Sequence, residues 1–143
     1  MDVNGFSPLH AACEAGSYDV IVVLLDNGAK VNLQYKRGWA PIHIATQSQK
    51  LECIDILYSN EANISIATEN GVTPLHIAAQ FESNEVLERL ITYGANLDAQ
   101  DSDGDVPLFG AIQLHREDNF MMLVEKGANL AIHNSQKASA FII

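Results

Sequence analysis

Gly5-Phe6-Ser7-Pro8-Leu9-His10, Gly38-Trp39-Ala40-Pro41-Ile42-His43, Gly71-Val72-Thr73-Pro74-Leu75-His76 and Gly104-Asp105-Val106-Pro107-Leu108-Phe109 are four versions of one hexapeptide, set 33 residues apart without an insertion. The glycine, proline and aliphatic columns hold in all four, and the histidine column holds until Phe109. Ala29, Ala62, Ala95 and Ala128 mark the far end of each copy at the same spacing. Chance does not produce several columns in one register. A fixed period of this length means stacked supersecondary units, and that reading governs every local one.

Each copy is legible physically. Ser7-Pro8 and Thr73-Pro74 set an N-cap hydroxyl before a proline suited to the first turn of a helix. A second helix follows at once, with Asp19, Glu52, Glu85 or Asp118 in its first turn, where the helix dipole favours an acid. Ser17 and Ser83 stand where they would cap it. Gly28, Gly94 and Gly127 provide left-handed C-caps, after which the chain runs into an extended, projecting turn.

The apolar columns explain why one copy does not stand alone. Ala12, Ala45, Ala78 and Ala111 allow helices to approach closely. The columns Ile21/Ile54/Leu87/Phe120 and Leu24/Leu57/Leu90/Leu123 carry bulk that only a neighbouring copy covers. Burying one such side chain contributes roughly 1.5–3 kcal/mol, so contacts between copies supply most of the stability.

This pattern, with Ser7-Pro-Leu-His10 and Thr73-Pro-Leu-His76 as its best copies, resembles the ankyrin repeat. The resemblance implies an all-α solenoid of helix-turn-helix units with projecting β-hairpin turns. It covers residues 1–143 as a single domain, with units at about 2–34, 35–67, 68–100 and 101–133 and a partial fifth at 134–143. It also implies a protein-protein interaction module, because the family's members overwhelmingly bind other proteins. The alternative is an ankyrin segment of a larger channel, kinase or effector, used for intramolecular assembly.

Some positions depart from the pattern. Ala40 replaces the capping Thr and Glu61 the C-cap glycine, so a non-glycine residue is expected at positive φ there, at a cost of about 1 kcal/mol. Val106 and Phe109 replace Thr and His, removing the hydrogen bonds by which the family ties adjacent turns. Lys137 and Ala140 replace the glycine and proline of the fifth copy. Units two and four are therefore expected to be the softer joints. The chain ends at Ala140-Phe141-Ile142-Ile143 inside a fifth first helix, and Val22 stands where a capping helix would be polar. A fragment of a longer array, or self-association through uncapped ends, is the expectation.

Composition narrows the function. The net charge of −10 disfavours a nucleic-acid ligand, because phosphate binding relies on Lys and Arg. Residues 1–50 carry four acids against four bases, so the whole excess lies in residues 51–143. The longest aliphatic run, Val20 to Leu25, is far below the roughly 20 residues that span a bilayer, so no membrane insertion is expected. Met1 to Gly5 carry no basic targeting signal, which leaves the cytoplasm or nucleus as the expected location. Cys13 and Cys53 are too few for a disulfide framework and read as buried apolar residues.

No catalytic or cofactor motif survives inspection. His10, His43 and His76 recur in register as structural residues and do not converge on one ion, and His115 and His133 lack ligand spacing. Asp101, Asp103 and Asp105 open like a calcium loop, but Val106 stands where glycine is needed and Ile112 where the bidentate Glu belongs. Metal, cofactor and enzymatic activity are not expected. Asn63-Ile64-Ser65 is a formal glycosylation sequon, read as incidental. Asn32 matches an asparagine that some ankyrin proteins offer to an asparaginyl hydroxylase.

In the proteins this chain resembles, partners contact the projecting turns and the exposed face of the first helices, the concave side. The matching positions here include Val3, Asn4, Phe6, Lys36, Arg37, Trp39, Phe81, Asp103, Asp105 and Leu114, with Tyr35 and Asp101 beside them. Phe6, Trp39, Phe81 and Leu114 are larger and more apolar than the core requires, and Trp, Tyr and Arg are enriched at binding hot spots. The acidic turn is read as attracting a basic patch on a protein partner.

Overall fold

In the computed structural model, which describes residues 5–140, the chain forms helices α1 (Pro8–Ala15), α2 (Tyr18–Asp26), α3 (Pro41–Gln47), α4 (Leu51–Ser59), α5 (Pro74–Ala78), α6 (Glu85–Thr92), α7 (Pro107–Gln113) and α8 (Glu117–Glu125). Proline occupies the first helical position of α1, α3, α5 and α7. The Ser7 and Thr73 side chains accept from the His10 and His76 amides, and Ala40 has no hydroxyl to do so. Among the second helices the expected caps are corrected. Ser17 makes no side-chain cap bond, and α6 begins after Asn84, with the Ser83 hydroxyl accepting from Glu85 N at 3.3 Å. The left-handed exits hold: Gly28, Gly94 and Gly127 lie at φ 90°, 90° and 103°, and Glu61 takes the same conformation at 69°.

Two layers result. Helices α1, α3, α5 and α7 form the inner row, and α2, α4, α6 and α8 form the outer row. Neighbouring inner helices contact one another more extensively than outer ones, so the stack curves with the inner row on its concave side. The expected core columns are buried: Ala45, Ile21, Ile54, Leu57, Leu87, Leu90 and Leu123 are fully inaccessible. Leu24 and Phe120, in the outermost copies of the same columns, are only partly buried. Burial therefore depends on having a neighbour, as stacking requires.

The projecting segments are tighter than β-hairpins. No strand occurs among the described residues; the one bridge pairs Tyr35 with Trp39. Each turn closes on itself with two backbone bonds: Tyr35 N to Trp39 O, Thr68 N to Val72 O, Asp101 N to Asp105 O and Asn134 N to Ala138 O, all at 2.9 Å, and Gly38, Gly71, Gly104 and Lys137 N–H back to the Tyr35, Thr68, Asp101 and Asn134 carbonyls. The tips bond forward along the stack, Arg37 O accepting from Glu69 N at 3.0 Å, Asn70 O from Ser102 N at 2.8 Å and Asp103 O from Ser135 N at 2.8 Å. A Cβ on Gly38 would lie 2.7 Å from Glu69 N, which is why that column is glycine wherever another turn follows it closely. Lys137, at φ 63°, has no further turn stacked on it among the described residues.

Candidate protein-interaction surface

Three imidazoles make the row of turns rigid. His10, His43 and His76 each accept a backbone N–H at Nδ1, from Ser7, Ala40 and Thr73 at 3.1, 3.0 and 3.1 Å. An Nδ1 that accepts leaves the proton on Nε2, which donates to a carbonyl of the next turn: Trp39 O at 3.1 Å, Val72 O at 3.0 Å and Asp105 O at 2.8 Å. The rings are buried. Burial pushes His43 down to about 4, because the charged ring would lose hydration, although its backbone bonds oppose the shift. These histidines are structural ties.

The fourth tie is missing because buried Phe109 has no ring nitrogen. Side chains replace it. Asn134 Nδ2 donates to Asp105 Oδ1 at 2.9 Å, and Gln100 Nε2 bridges Gly104 O and His133 O at 3.0 and 3.2 Å. At the Ala40 copy the hydroxyl is lost, but the amide still reaches His43, and Gln34 Nε2 bridges Gly38 O and Ala67 O. Both departures from the repeat thus carry compensating bonds.

The aromatic candidates are divided between packing and exposure. Phe6 and Tyr35 are half-buried, 5.0 Å apart, and both flank His10, at 5.5 and 4.8 Å. Trp39 is half-buried edge-on to His43 at 5.4 Å. Lys36 and Arg37 project from the same turn, exposed. Arg37 sits at φ 65°, which nothing in its residue type foretells. Val3 and Asn4, and Phe141 to Ile143 at the other end, lie outside the described residues.

The acidic turn is ordered by its own carboxylates. Asp101 Oδ1 accepts from Asp103 N and Asp105 N at 2.9 and 3.0 Å, an arrangement Asp favours in turns. The three side chains can bring ligand oxygens within 4.8 Å of one another. Asp101 and Asp105 are half-buried and engaged, whereas the Asp103 carboxylate projects into solvent.

Phe81 and Leu114 lie together at the opposite edge, where each inner helix turns into its outer partner. Gly16, Gln49 and His115 make that turn at φ 72°, 55° and 57°, and Ser17, Lys50 and Arg116 N–H groups close it onto Ala12, Ala45 and Ala111 carbonyls. Glu82, the matching residue of the third copy, does not adopt positive φ; α5 stops after five residues, and Ala78 O accepts from Phe81 N instead. The carbonyls freed by this shortening are captured from the fourth copy. Asn119 Nδ2 donates to Ala79 O and Phe81 O at 3.0 and 2.7 Å, and Arg116 Nε donates to Gln80 O at 2.8 Å.

The set-back loop leaves a groove of about 600 Å³ spanning three copies, lined by Gln47, Gln49, Leu51, Gln80, Phe81, Val86, Leu114 and the rim residues Glu82, Ser83, Glu85 and Arg116. Sequence reading places Phe81 and Leu114 on the exposed face but misses the groove. One signal was present: Asn119 interrupts a column that is otherwise Val20, Cys53 and Val86.

On the convex side, Arg89 pairs with Asp55, which also accepts from the Tyr93 hydroxyl, while Tyr58 and Tyr93 stack at 3.8 Å. Burial pushes Asp55 up, but bonds from Arg89 and Tyr93 outweigh it and hold the carboxyl below its ordinary range. Cys13 and Cys53 are buried free thiols, and burial pushes Cys13 up to about 12. Asn32 Oδ1 accepts from Asn63 N at 2.8 Å, a tie between successive turns. No helix among the described residues is long and apolar enough to cross a membrane. The family model described as Ankyrin repeats (3 copies) matches residues 1–68 and 42–134. Comparison with curated proteins returns no match.

Proposed function

Because the chain belongs to the ankyrin-repeat family, we propose that it is a non-catalytic module that binds a protein partner across its concave side, from the basic turn to the acidic one. The observation that carries this reading is the row of turns locked by imidazoles, whose tips hold charge free of the fold's own bonds. Lys36 and Arg37 take part in no ion pair among the described residues, and the Asp103 carboxylate stands apart from the bonds that order its turn. A partner meeting these tips finds charges already positioned, so little ordering entropy opposes binding. Trp39, Tyr35 and Phe6 supply apolar area beside the basic tip, and Asp103 draws a basic patch to the other end.

The test is affinity purification of a partner with the intact chain, followed by binding kinetics. Trp39→Ala should raise dissociation, and Asp103→Asn should slow association, less so at high salt. A partner whose affinity and rates ignore both substitutions would exclude this surface.

A further inference from the structure

The groove across the loops between inner and outer helices has a shape and a charge that the turn tips do not share. We infer that it docks an extended peptide segment in which an apolar side chain sits next to a Lys or Arg. This deepens the protein-binding reading and rests on it.

The apolar part comes from one column of the repeat. Ala15 and Ser48 occupy it in the first two copies, but Phe81 and Leu114 occupy it in the next two. Leu114 is 45% exposed although it is large and aliphatic. Its column is half-buried or exposed in every copy, and nothing among the described residues covers it. Together with Leu51 and Val86 these side chains form a floor that accepts one apolar residue of a ligand.

The polar part suits a main chain. Gln47 and Gln80 bring carboxamides to the groove that form no hydrogen bond within the described chain. Gly110 leaves the room that Gln80 occupies, for a Cβ there would lie 3.1 Å from Gln80 Cγ. Each carboxamide offers both donors and an acceptor, the complement of an extended peptide unit.

The rim fixes the sign. Glu85 is exposed and forms no ion pair among the described residues. Glu82 has a side chain 88% exposed and meets Arg116 only at 3.6 Å. Arg116, the one cation lining the groove, is held by Gln80 O. An arriving Lys or Arg finds two carboxylates at the edge of an apolar floor, and an arriving acid is repelled.

Fluorescence polarisation of the full chain with labelled peptides tests this. The probes share a Gly/Ser frame and carry Leu-Arg, Leu-Glu or Ser-Arg at the centre. The Leu-Arg peptide should bind at least about tenfold more tightly than the other two. Leu114→Ser, at an exposed position, should weaken it by about tenfold with an unchanged thermal melt, and the Glu82→Gln, Glu85→Gln pair should weaken it by a similar factor in a chain that still melts cooperatively, while Val23→Ser, exposed on α2 and outside the groove, leaves it unchanged. Equal binding of the three peptides, no binding of any, or indifference to Leu114→Ser in a folded chain would overturn the assignment. Binding that depends on Trp39 and not on Leu114 would remove the groove and leave the proposed turn surface standing. A self-associated species in sedimentation that Leu114→Ser dissolves would give the groove to a second copy instead.

Discussion

His43 should make this protein acid-sensitive in a defined window. Its ring is inaccessible, accepts from Ala40 N at Nδ1 and donates from Nε2 to Val72 O, so folding binds the neutral form. The unfolded ring takes a proton below its ordinary value of 6.5, and the folded ring not until about 4. Between those values the unfolded state holds more protons, so stability falls as pH falls, by about 1.4 kcal/mol per pH unit. The contribution is complete above 6.5 and is lost on the way to about 4, close to 3 kcal/mol in all. Asp55 acts lower: its depressed carboxyl stabilises above the ordinary carboxylate range and is lost only as pH falls through its own lowered value. The assay is urea unfolding at pH steps from neutral to about 4.5 at constant ionic strength, read by Trp39 fluorescence, for the wild type and His43→Gln. The variant lacks the titrating ring, so the stability difference between the two should shrink by about 2–3 kcal/mol across the range. Parallel curves would mean that the folded imidazole takes its proton as readily as the unfolded one, so that burial does not hold it neutral.

Replacing Glu61 with Gly should stabilise by about 1 kcal/mol in thermal or urea melts, because Glu61 holds φ 69° and the glycines at the matching exits have open space around them; a loss of stability would show that the Glu61 side chain contributes more than its backbone costs. Asn119→Val restores the apolar column but strips the donors from Ala79 O and Phe81 O, and should destabilise by about 2 kcal/mol even though it also removes the buried, unpartnered Asn119 Oδ1. Unchanged stability would mean that those carbonyls find other donors. Cys13, buried and pushed up to about 12, should react with iodoacetamide at neutral pH only at the rate of opening, so labelling followed by mass spectrometry should track denaturant; rapid native labelling would contradict its burial. Hydrogen exchange should be fastest where unit two has Glu61 and unit four lacks the histidine tie, while uniform protection would show that Gln34, Gln100 and Asn134 compensate fully.

The sequence by itself determined the period, the helix starts and the core. A 33-residue repeat leaves its apolar columns one way to be buried, against the neighbouring copies, and a proline at the first helical position marks where each inner helix starts. It also foretold positive φ at Glu61, since the matching residues are glycines. Only tertiary structure decided what the turns and loops do, because their backbone bonds run between copies. The projecting segments close on themselves within five residues and bond onward through their tips to the next turn, too short to extend into strands. The third loop follows its own path, because Glu82 stays out of the left-handed region and Asn119 and Arg116, 37 and 34 residues further on, receive its carbonyls. Position in the repeat put Phe81 and Leu114 on an exposed face. That they share a groove with Glu82 and Glu85 follows from how far that loop is drawn back, which long-range hydrogen bonds set and no local spacing records.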